Sequence, residues 1–440
     1  MTPAGTLPAR EDASGIPDAP AGPRSGTGRI VVASLVGTAI EFYDFYVYGT
    51  AAALVLGQVF FPRTASGAQS LAAFATFAIA FAARPFGSFL FGHFGDRVGR
   101  KSTLVASMVT MGLSTTLIGI LPGYASIGVM APVLLCILRI GQGIGLGGEW
   151  GGAALLATEN APPGRRAWFG MFPQLGPPVG FLLSNGLFLL LFLFLTDAQF
   201  LSWGWRIPFL ASAALVLVGL YVRRRVGETP DFARLAARHG QVRMPLGELL
   251  RHHSGNLVLG SLAMVAAYAT FYISTVFALG YGTRVSHIPR STFLGLLCIA
   301  ILAMAITTPI AALLADRFGR RPVLLAATAV SALSGFALAP LLEGGSPGYT
   351  LLFLLLELGI MGFLFAPMGA LLPELFPPQV RYTGASTAYN LGGILGASLA
   401  PYAAETLLAH GGLSWVGFYV TGAGLVSFLA VLIMRKSRWS

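Results

Sequence analysis

From Ile30 onward the chain alternates long apolar runs with short polar connections. The runs fall at about 30–55, 68–92, 102–121, 127–157, 167–195 and 204–222. After a polar stretch they resume at 256–282, 291–314, 323–342, 349–372, 383–408 and 413–434. Each approaches or exceeds the roughly 20 residues that an apolar helix needs to cross the hydrocarbon core of a bilayer. The pattern predicts an all-α membrane protein of twelve transmembrane helices, six on either side of a break. That break, 223–253, carries seven arginines among its polar residues and reads as a cytoplasmic linker with a short amphipathic helix. Residues 1–28 are rich in Pro, Gly, Ala, Ser and Thr, with no apolar core, and read as a disordered cytoplasmic tail, not a signal peptide. Residues 29–222 and 254–435 then form two six-helix halves, and 436–440 a short cytoplasmic tail.

Composition removes the soluble alternatives. Of 440 residues 55% are apolar and only 10% charged, against about 25% charged in soluble chains. The two cysteines, Cys136 and Cys298, both lie inside apolar runs, which excludes a disulfide scaffold. A net charge of +11 would suit a nucleic-acid binder, but the positions of the basic residues decide otherwise. With the N-terminus placed inside, the tails and even-numbered loops hold 22 of the 28 Lys and Arg. The odd-numbered loops hold only Arg63, Arg284 and Arg290, while Arg84, Arg139 and Arg206 lie within apolar runs. This asymmetry puts both termini in the cytoplasm by the positive-inside rule and makes the charge a topology signal, with no nucleic acid involved.

The chain also repeats itself. Gly95-Asp96-Arg97-Val98-Gly99-Arg100-Lys101 follows the second run, and Ala315-Asp316-Arg317-Phe318-Gly319-Arg320-Arg321 follows the eighth, an offset of 220. Glu159-x-x-Pro162-Pro163-x-x-Arg166 follows the fourth, and Glu374-x-x-Pro377-Pro378-x-x-Arg381 the tenth, an offset of 215. Two motifs in the same order at nearly equal offsets indicate two homologous halves.

Gly92-x-x-x-Asp96-Arg97-x-Gly99-Arg100-Lys101 matches in full the loop 2–3 signature of the major facilitator superfamily, and 315–321 matches its second-half copy. Over about residues 29–435 the chain resembles that superfamily, with Arg139-x-x-Gln142-Gly143-x-Gly145 similar to its fourth-helix motif. More narrowly, Glu41-Phe42-Tyr43-Asp44-Phe45, Gly147-Gly148-Glu149-Trp150-Gly151-Gly152 and Trp203-Gly204-Trp205-Arg206-Ile207-Pro208-Phe209 resemble the metabolite:proton symporter branch. That branch includes carriers for shikimate, 2-oxoglutarate, citrate and proline or betaine. The resemblance implies the major facilitator fold, two homologous six-helix bundles with substrate held near the bilayer midplane. It further implies a monomer without cofactor, multi-pass in a bacterial inner membrane, whose partners are a small-molecule substrate, protons and lipid.

In the loop signature, Gly99 and Gly319 allow tight turns, while Asp96 and Asp316 stand beside Arg97 and Arg100 or Arg317 and Arg320 at helix ends. By resemblance these residues, with Glu159 and Arg166 or Glu374 and Arg381, latch the halves together on the cytoplasmic side. The alternative is that they act only as insertion and topology signals.

Charges inside apolar runs are costly and therefore informative. Glu41 and Asp44 share a helix face with Tyr48, Arg84 lies in the second run, Arg139, Gln142 and Glu149 in the fourth, and Glu357 in the tenth. Asp44 or Glu41 is the expected proton carrier, with Arg139 as the partner tuning its pKa and Glu149 next in line. A fixed ion pair between helices is the structural alternative. Arg84, Arg139, Gln142, Tyr48, Gln174, Asn185, Tyr268, Tyr272, Thr275, Tyr389, Asn390 and Glu357 are candidate cavity residues for a small polar substrate. The two arginines favour a carboxylate by charge complementarity. Arg206, flanked by Trp203 and Trp205, reads as an interfacial residue that snorkels. Gly143-x-Gly145-x-x-Gly148 satisfies a dinucleotide pattern, but no strand precedes it, and its glycines read as helix-packing positions. The proline pair in Gly176-Pro177-Pro178-Val179-Gly180, which partly resembles a drug-antiporter motif, reads as a kink. The function expected is proton symport of an organic acid or zwitterion. A facilitator, a proton antiporter and a non-transporting sensor are the alternatives, and no catalytic constellation suggests an enzyme.

Overall fold

A computed structural model describes residues 27–61, 66–98, 100–159, 161–224, 245–377 and 380–434, and among them no strand occurs. Helix α1 runs through Thr27–Ala51, a π-helical turn Ala52–Leu56 and Gly57–Phe60. It is followed by α2 (Ser66–Val98), α3 (Arg100–Ile120), α4 (Met130–Glu159), α5 (Arg166–Phe194) and α6 (Arg206–Arg224). The second set is α7 (Ser254–Arg284), α8 (Arg290–Phe318), α9 (Arg320–Leu342) and α10 (Pro347–Glu374). The stretch Arg381–Ile433 has 53 residues, about 80 Å at 1.5 Å per residue, and so is too long for one crossing. It folds at Gly412 (φ 72°, ψ −170°) into α11 (381–411) and α12 (413–433), the division that the apolar runs predict. Twelve long helical segments are thus present among the described residues.

Of the expected tails and linker, residues 1–26, 225–244 and 435–440 lie outside the described residues. The expected amphipathic helix of the linker is Pro245–His252, which buries Leu249 and exposes Leu250, Arg251 and His252. The expected aromatic pair beside Arg206 divides, with Trp203 exposed and Trp205 not. A π-helical turn at Phe200–Gly204 and a 45° bend before α6 turn Trp205 inward, where it is wholly buried against Phe60 and Phe209. Arg206 places its guanidinium 4.4 Å from the centre of the Trp205 ring and donates to the Leu121 carbonyl at 3.2 Å.

Close helix crossings explain the glycines. A methyl group at Gly143 would overlap the Ala80 carbonyl, one at Gly147 the Arg84 carbonyl, and one at Gly145 would lie 2.7 Å from the Met111 amide nitrogen. The dinucleotide-like pattern is therefore the seam by which α4 meets α2 and α3. Gly143→Val is expected to destabilise the protein by about 1–3 kcal/mol, the usual cost of overpacking. Thermal unfolding in detergent, followed by light scattering or intrinsic fluorescence, reads that loss.

The two sequence offsets reappear in space. Gly147 abuts the carbonyl of Arg84, while Gly362, 215 residues on, lies against that of Met304, 220 residues on. The same 215-residue step makes Glu357 of α10 the counterpart of Gln142 of α4. The halves α1–α6 and α7–α12 meet along α5 against α8 and α2 against α11.

Candidate transport pathway

An aromatic layer fills the middle of the molecule between the halves. Phe45 of α1 packs on Phe77 and Phe81 of α2 and reaches Tyr272 of α7 at 6.1 Å between ring centres. Tyr46 stacks on Phe271 at 5.2 Å, and Trp150 of α4 lies flat on Tyr389 of α11 at 4.0 Å with planes 6° apart. Gln174 of α5, wholly buried, ties this layer across the halves: it accepts from the Trp150 indole at 3.0 Å and donates to the Phe365 carbonyl of α10 at 2.9 Å. Asn390 does the same from α11, donating to Ser88 Oγ at 2.6 Å and the Gly147 carbonyl at 3.1 Å.

Two guanidinium groups are buried in this layer. Arg84, 1% exposed, lies 3.9 Å from the Phe81 ring centre and 4.4 Å from that of Phe45, and its Nε and Nη2 have no hydrogen-bond partner. Arg139 covers the Tyr48 ring at 3.7 Å and donates to Gln142 Oε1 at 2.5 Å and to the Thr76 and Phe77 carbonyls at 3.4 Å. Neither forms an ion pair among the described residues. Cation–π contact and carbonyl oxygens offset part of the cost of burying each charge.

Asp44 is fully buried on the other side of α1, against Gly112 of α3 and close to Thr115 and Ser212, and neither carboxyl oxygen has a hydrogen bond of ordinary geometry. The expected Asp44–Arg139 pair is thus not formed. Instead a polar thread joins them: Arg139 donates to Gln142, Gln142 donates to Thr115 Oγ1 at 2.7 Å, and Thr115 adjoins Asp44. Glu149 accepts from Ser107 Oγ at 3.0 Å and is near enough for its charge to act on Asp44. The charge of Glu41, also buried, acts on Tyr46 and Tyr389.

At one end of the bundle the second loop motif clasps the opposite half. Asp316 accepts from the backbone N–H groups of Ala167 and Trp168, both at 2.9 Å, in the first turn of α5. Those amides have no intrahelical acceptor, and a carboxylate there also meets the positive end of the helix dipole. Glu374 receives Arg320 at 2.9 Å and Arg166 at 3.7 Å, and the Tyr382 hydroxyl donates to the Gly148 carbonyl. At the opposite end a cavity of about 90 Å³ is lined by Gln58, Gln69, Thr283, Arg284 and Arg290. There Arg284 pairs with Glu405, and Arg290 lies 3.9 Å from Asp197.

Comparison with known proteins agrees with this architecture. The family described as sugar (and other) transporter matches residues 30–256, and the one described as Major Facilitator Superfamily matches residues 286–439. The inner membrane metabolite transport protein YhjE of Escherichia coli (strain K12) is 53% identical over 421 residues, covering 94% of this chain and 96% of its own. The chain belongs to the major facilitator superfamily. The shikimate transporter of the same organism is 39% identical over 417 residues, covering 93% of this chain and 95% of its own. In fold, the chain is similar to the proton:xylose symporter XylE bound to 6-bromo-6-deoxy-D-glucose, with a TM-score of 0.76 at 20% identity over 93% of this chain and 95% of that one. These relatives place it in the superfamily's metabolite-carrier branch, as a multi-pass membrane transporter and not an enzyme.

Measured against that superfamily's pathway, the expected residues divide. Arg84, Tyr268, Tyr272, Tyr389, Asn390 and Gln174 join the layer between the halves, whereas Tyr48, Arg139 and Gln142 pack together inside the first half. Asn185 accepts from Thr50 at 2.9 Å, and Thr275 is bonded to its own helix. Glu357, fully buried beside Ser334 of α9, makes no hydrogen bond or ion pair to the central groups. Among the expected latch residues, Asp316 at the α5 amides and Arg166 at Glu374 make contacts between the halves, while Arg320 pairs with Glu374 inside the second half. Arg317 is exposed over Phe318 and meets no residue of the other half among the described residues. Arg381 donates to the Phe376 carbonyl, and Glu159 closes α4. Gly99 and the side-chain surroundings of Gly92, Asp96, Arg97 and Arg100 lie outside the described residues. Sequence reading missed Phe45, Phe81, Trp150, Thr115 and Ser212. Only the aromatic crowding of Phe42 to Tyr48 and the Trp150 beside Glu149 could have signalled any of them.

Proposed function

We propose that this transporter moves a small organic acid or zwitterion together with protons by alternating access, with the loop-motif end and both termini in the cytoplasm. The observation that carries the reading is the pair of buried guanidinium groups, Arg84 and Arg139, for which no ion pair is formed among the described residues. An anionic ligand entering the layer between the halves supplies the missing charge. Asp44, buried beside Thr115 and Ser212 and linked to Arg139 through Thr115 and Gln142, is the group whose proton occupancy feeds that charge balance. Contacts between the halves close the loop-motif end in this conformation, and the cavity lies at the opposite end. The names of the relatives, a shikimate transporter and a proton:xylose symporter, agree with a polar metabolite and with proton coupling.

Adding shikimate, betaine or another substrate that cells take up to a de-energised, unbuffered suspension of cells expressing the protein is expected to make the medium alkaline. The helix break at Leu175, ahead of Pro177 and Pro178, favours a second reading, exchange against protons. Exchange makes the medium acidic in the same assay. Uptake without any pH change removes proton coupling altogether.

A further inference from the structure

We infer that Arg84, Tyr268 and Tyr389 anchor a single carboxylate of the substrate, so that the ligand class is a monocarboxylate with an otherwise uncharged or zwitterionic body. The inference rests on the transporter reading above and narrows its substrate. Phe45 and Phe81 press on the Arg84 guanidinium, and its unpartnered Nε and Nη2 lie along one edge of the plane. All guanidinium donors lie in that plane, so a ligand must approach edge-on, the geometry that a carboxylate matches bidentately.

Two tyrosine hydroxyls from the other half stand beside the same aromatic surface. Tyr268 in α7 and Tyr389 in α11 are buried with their rings 5.5 Å apart, and Tyr268 lies 6.4 Å from the Phe81 ring that covers Arg84; among the described residues their hydroxyls reach only each other, which leaves the pair one donor to offer. Both lie within electrostatic reach of Arg84. Three helices from two halves thus bring donors to one aromatic surface, and buried donors of this kind are normally satisfied.

The charge count limits the ligand to one carboxylate there. Arg139 has committed its donors to Gln142 and to the Thr76 and Phe77 carbonyls, and its face to Tyr48, all within the first half. A second ligand carboxylate would find no free guanidinium edge. It would also meet Glu41, whose charge acts on Tyr389 and Tyr46.

Equilibrium binding to the purified full chain, by calorimetry at fixed pH without a membrane gradient, tests this. The probes are quinate, proline, glycine betaine and glutaramate, each beside its amide (for glutaramate, the diamide), with succinate and glutarate as dicarboxylates. At least one monocarboxylate is expected to bind, with its amide about 100-fold weaker and glutarate at least tenfold weaker than glutaramate if that skeleton binds. Arg84→Gln is expected to abolish this binding, and Tyr268→Phe and Tyr389→Phe, which keep the rings, each to weaken it about tenfold. A dicarboxylate preferred over every monocarboxylate, an amide bound as well as its acid, two Tyr→Phe variants with unchanged affinity, or no monocarboxylate bound at all overturns the inference. The readout involves no proton gradient, so failure of proton coupling leaves it untouched, and its own failure leaves the alkalinisation result standing.

Discussion

Replacing Asp44 by Asn is expected to abolish proton-driven accumulation while leaving exchange of substrate across the membrane intact. Asn has nearly the same shape, and the pocket formed by Gly112, Thr115 and Ser212 makes no ordinary hydrogen bond to the carboxyl that the amide would break. Packing of α1 against α3 and α6 should therefore survive. What disappears is the only change Asp44 can make, the gain and loss of one charge. A proton gradient worth 100 mV supplies about 2.3 kcal/mol per proton, about fifty-fold in concentration ratio at 1.4 kcal/mol per tenfold. In proteoliposomes with an imposed gradient, the wild type should accumulate substrate on that scale, and the variant should stop at a ratio of one. Counterflow, which needs no net proton movement, should persist. Accumulation that survives in Asp44→Asn and is lost in Glu41→Gln would move the role to Glu41, whose surroundings are Tyr46 and Tyr389. Survival in both variants removes both residues from coupling.

That test matters because helix order was legible in the sequence and partner identity was not. Apolar runs set by bilayer thickness, and glycines at fixed spacing, are one-dimensional signals that survive folding almost unchanged. Even the turn at Gly412 shows as the gap between two runs. Charge pairing is different, because it depends on how each helix is rotated about its axis. Asp44 and Arg139 look complementary when read along the chain, yet Asp44 faces α3 and α6 while Arg139 faces Tyr48 and the carbonyls of α2. Trp205 shows a second limit: a π-helical turn adds one residue to a helical turn and rotates everything after it. No pattern of apolar positions between Phe200 and Gly204 announces that. Small hydroxyls such as Thr115 and Ser212 are invisible in a list of motifs, because most serines and threonines in membrane helices bond only to their own backbone, as Thr158 and Thr308 do.

Replacing Asp316 by Ala is expected to weaken the closure of the loop-motif end. Its two oxygens cap the Ala167 and Trp168 amides across the halves, and loss of such a cap typically costs about 0.5–2 kcal/mol, with up to about 2 kcal/mol for a charge well placed on a helix dipole. Loss of 1–2 kcal/mol raises the population open at that end by about 5–30-fold. Spin labels at Pro163 and Pro322, both exposed at this end, would report the change as growth of a longer distance, after Cys136 and Cys298 are replaced by Ser. Asp316→Asn should fall between wild type and Asp316→Ala, because the amide keeps one acceptor and loses the charge. Arg317→Ala should leave the distances unchanged, since among the described residues that side chain reaches only the neighbouring Phe318 ring. The result separates the two readings of the repeated motif. A topology signal acts through Arg317 and its basic neighbours during insertion, so it predicts sensitivity to charge anywhere in the loop and no shift of distances in the folded protein. A latch predicts a shift confined to residues that reach the other half, which here are Asp316 at the α5 amides and Arg166 at Glu374.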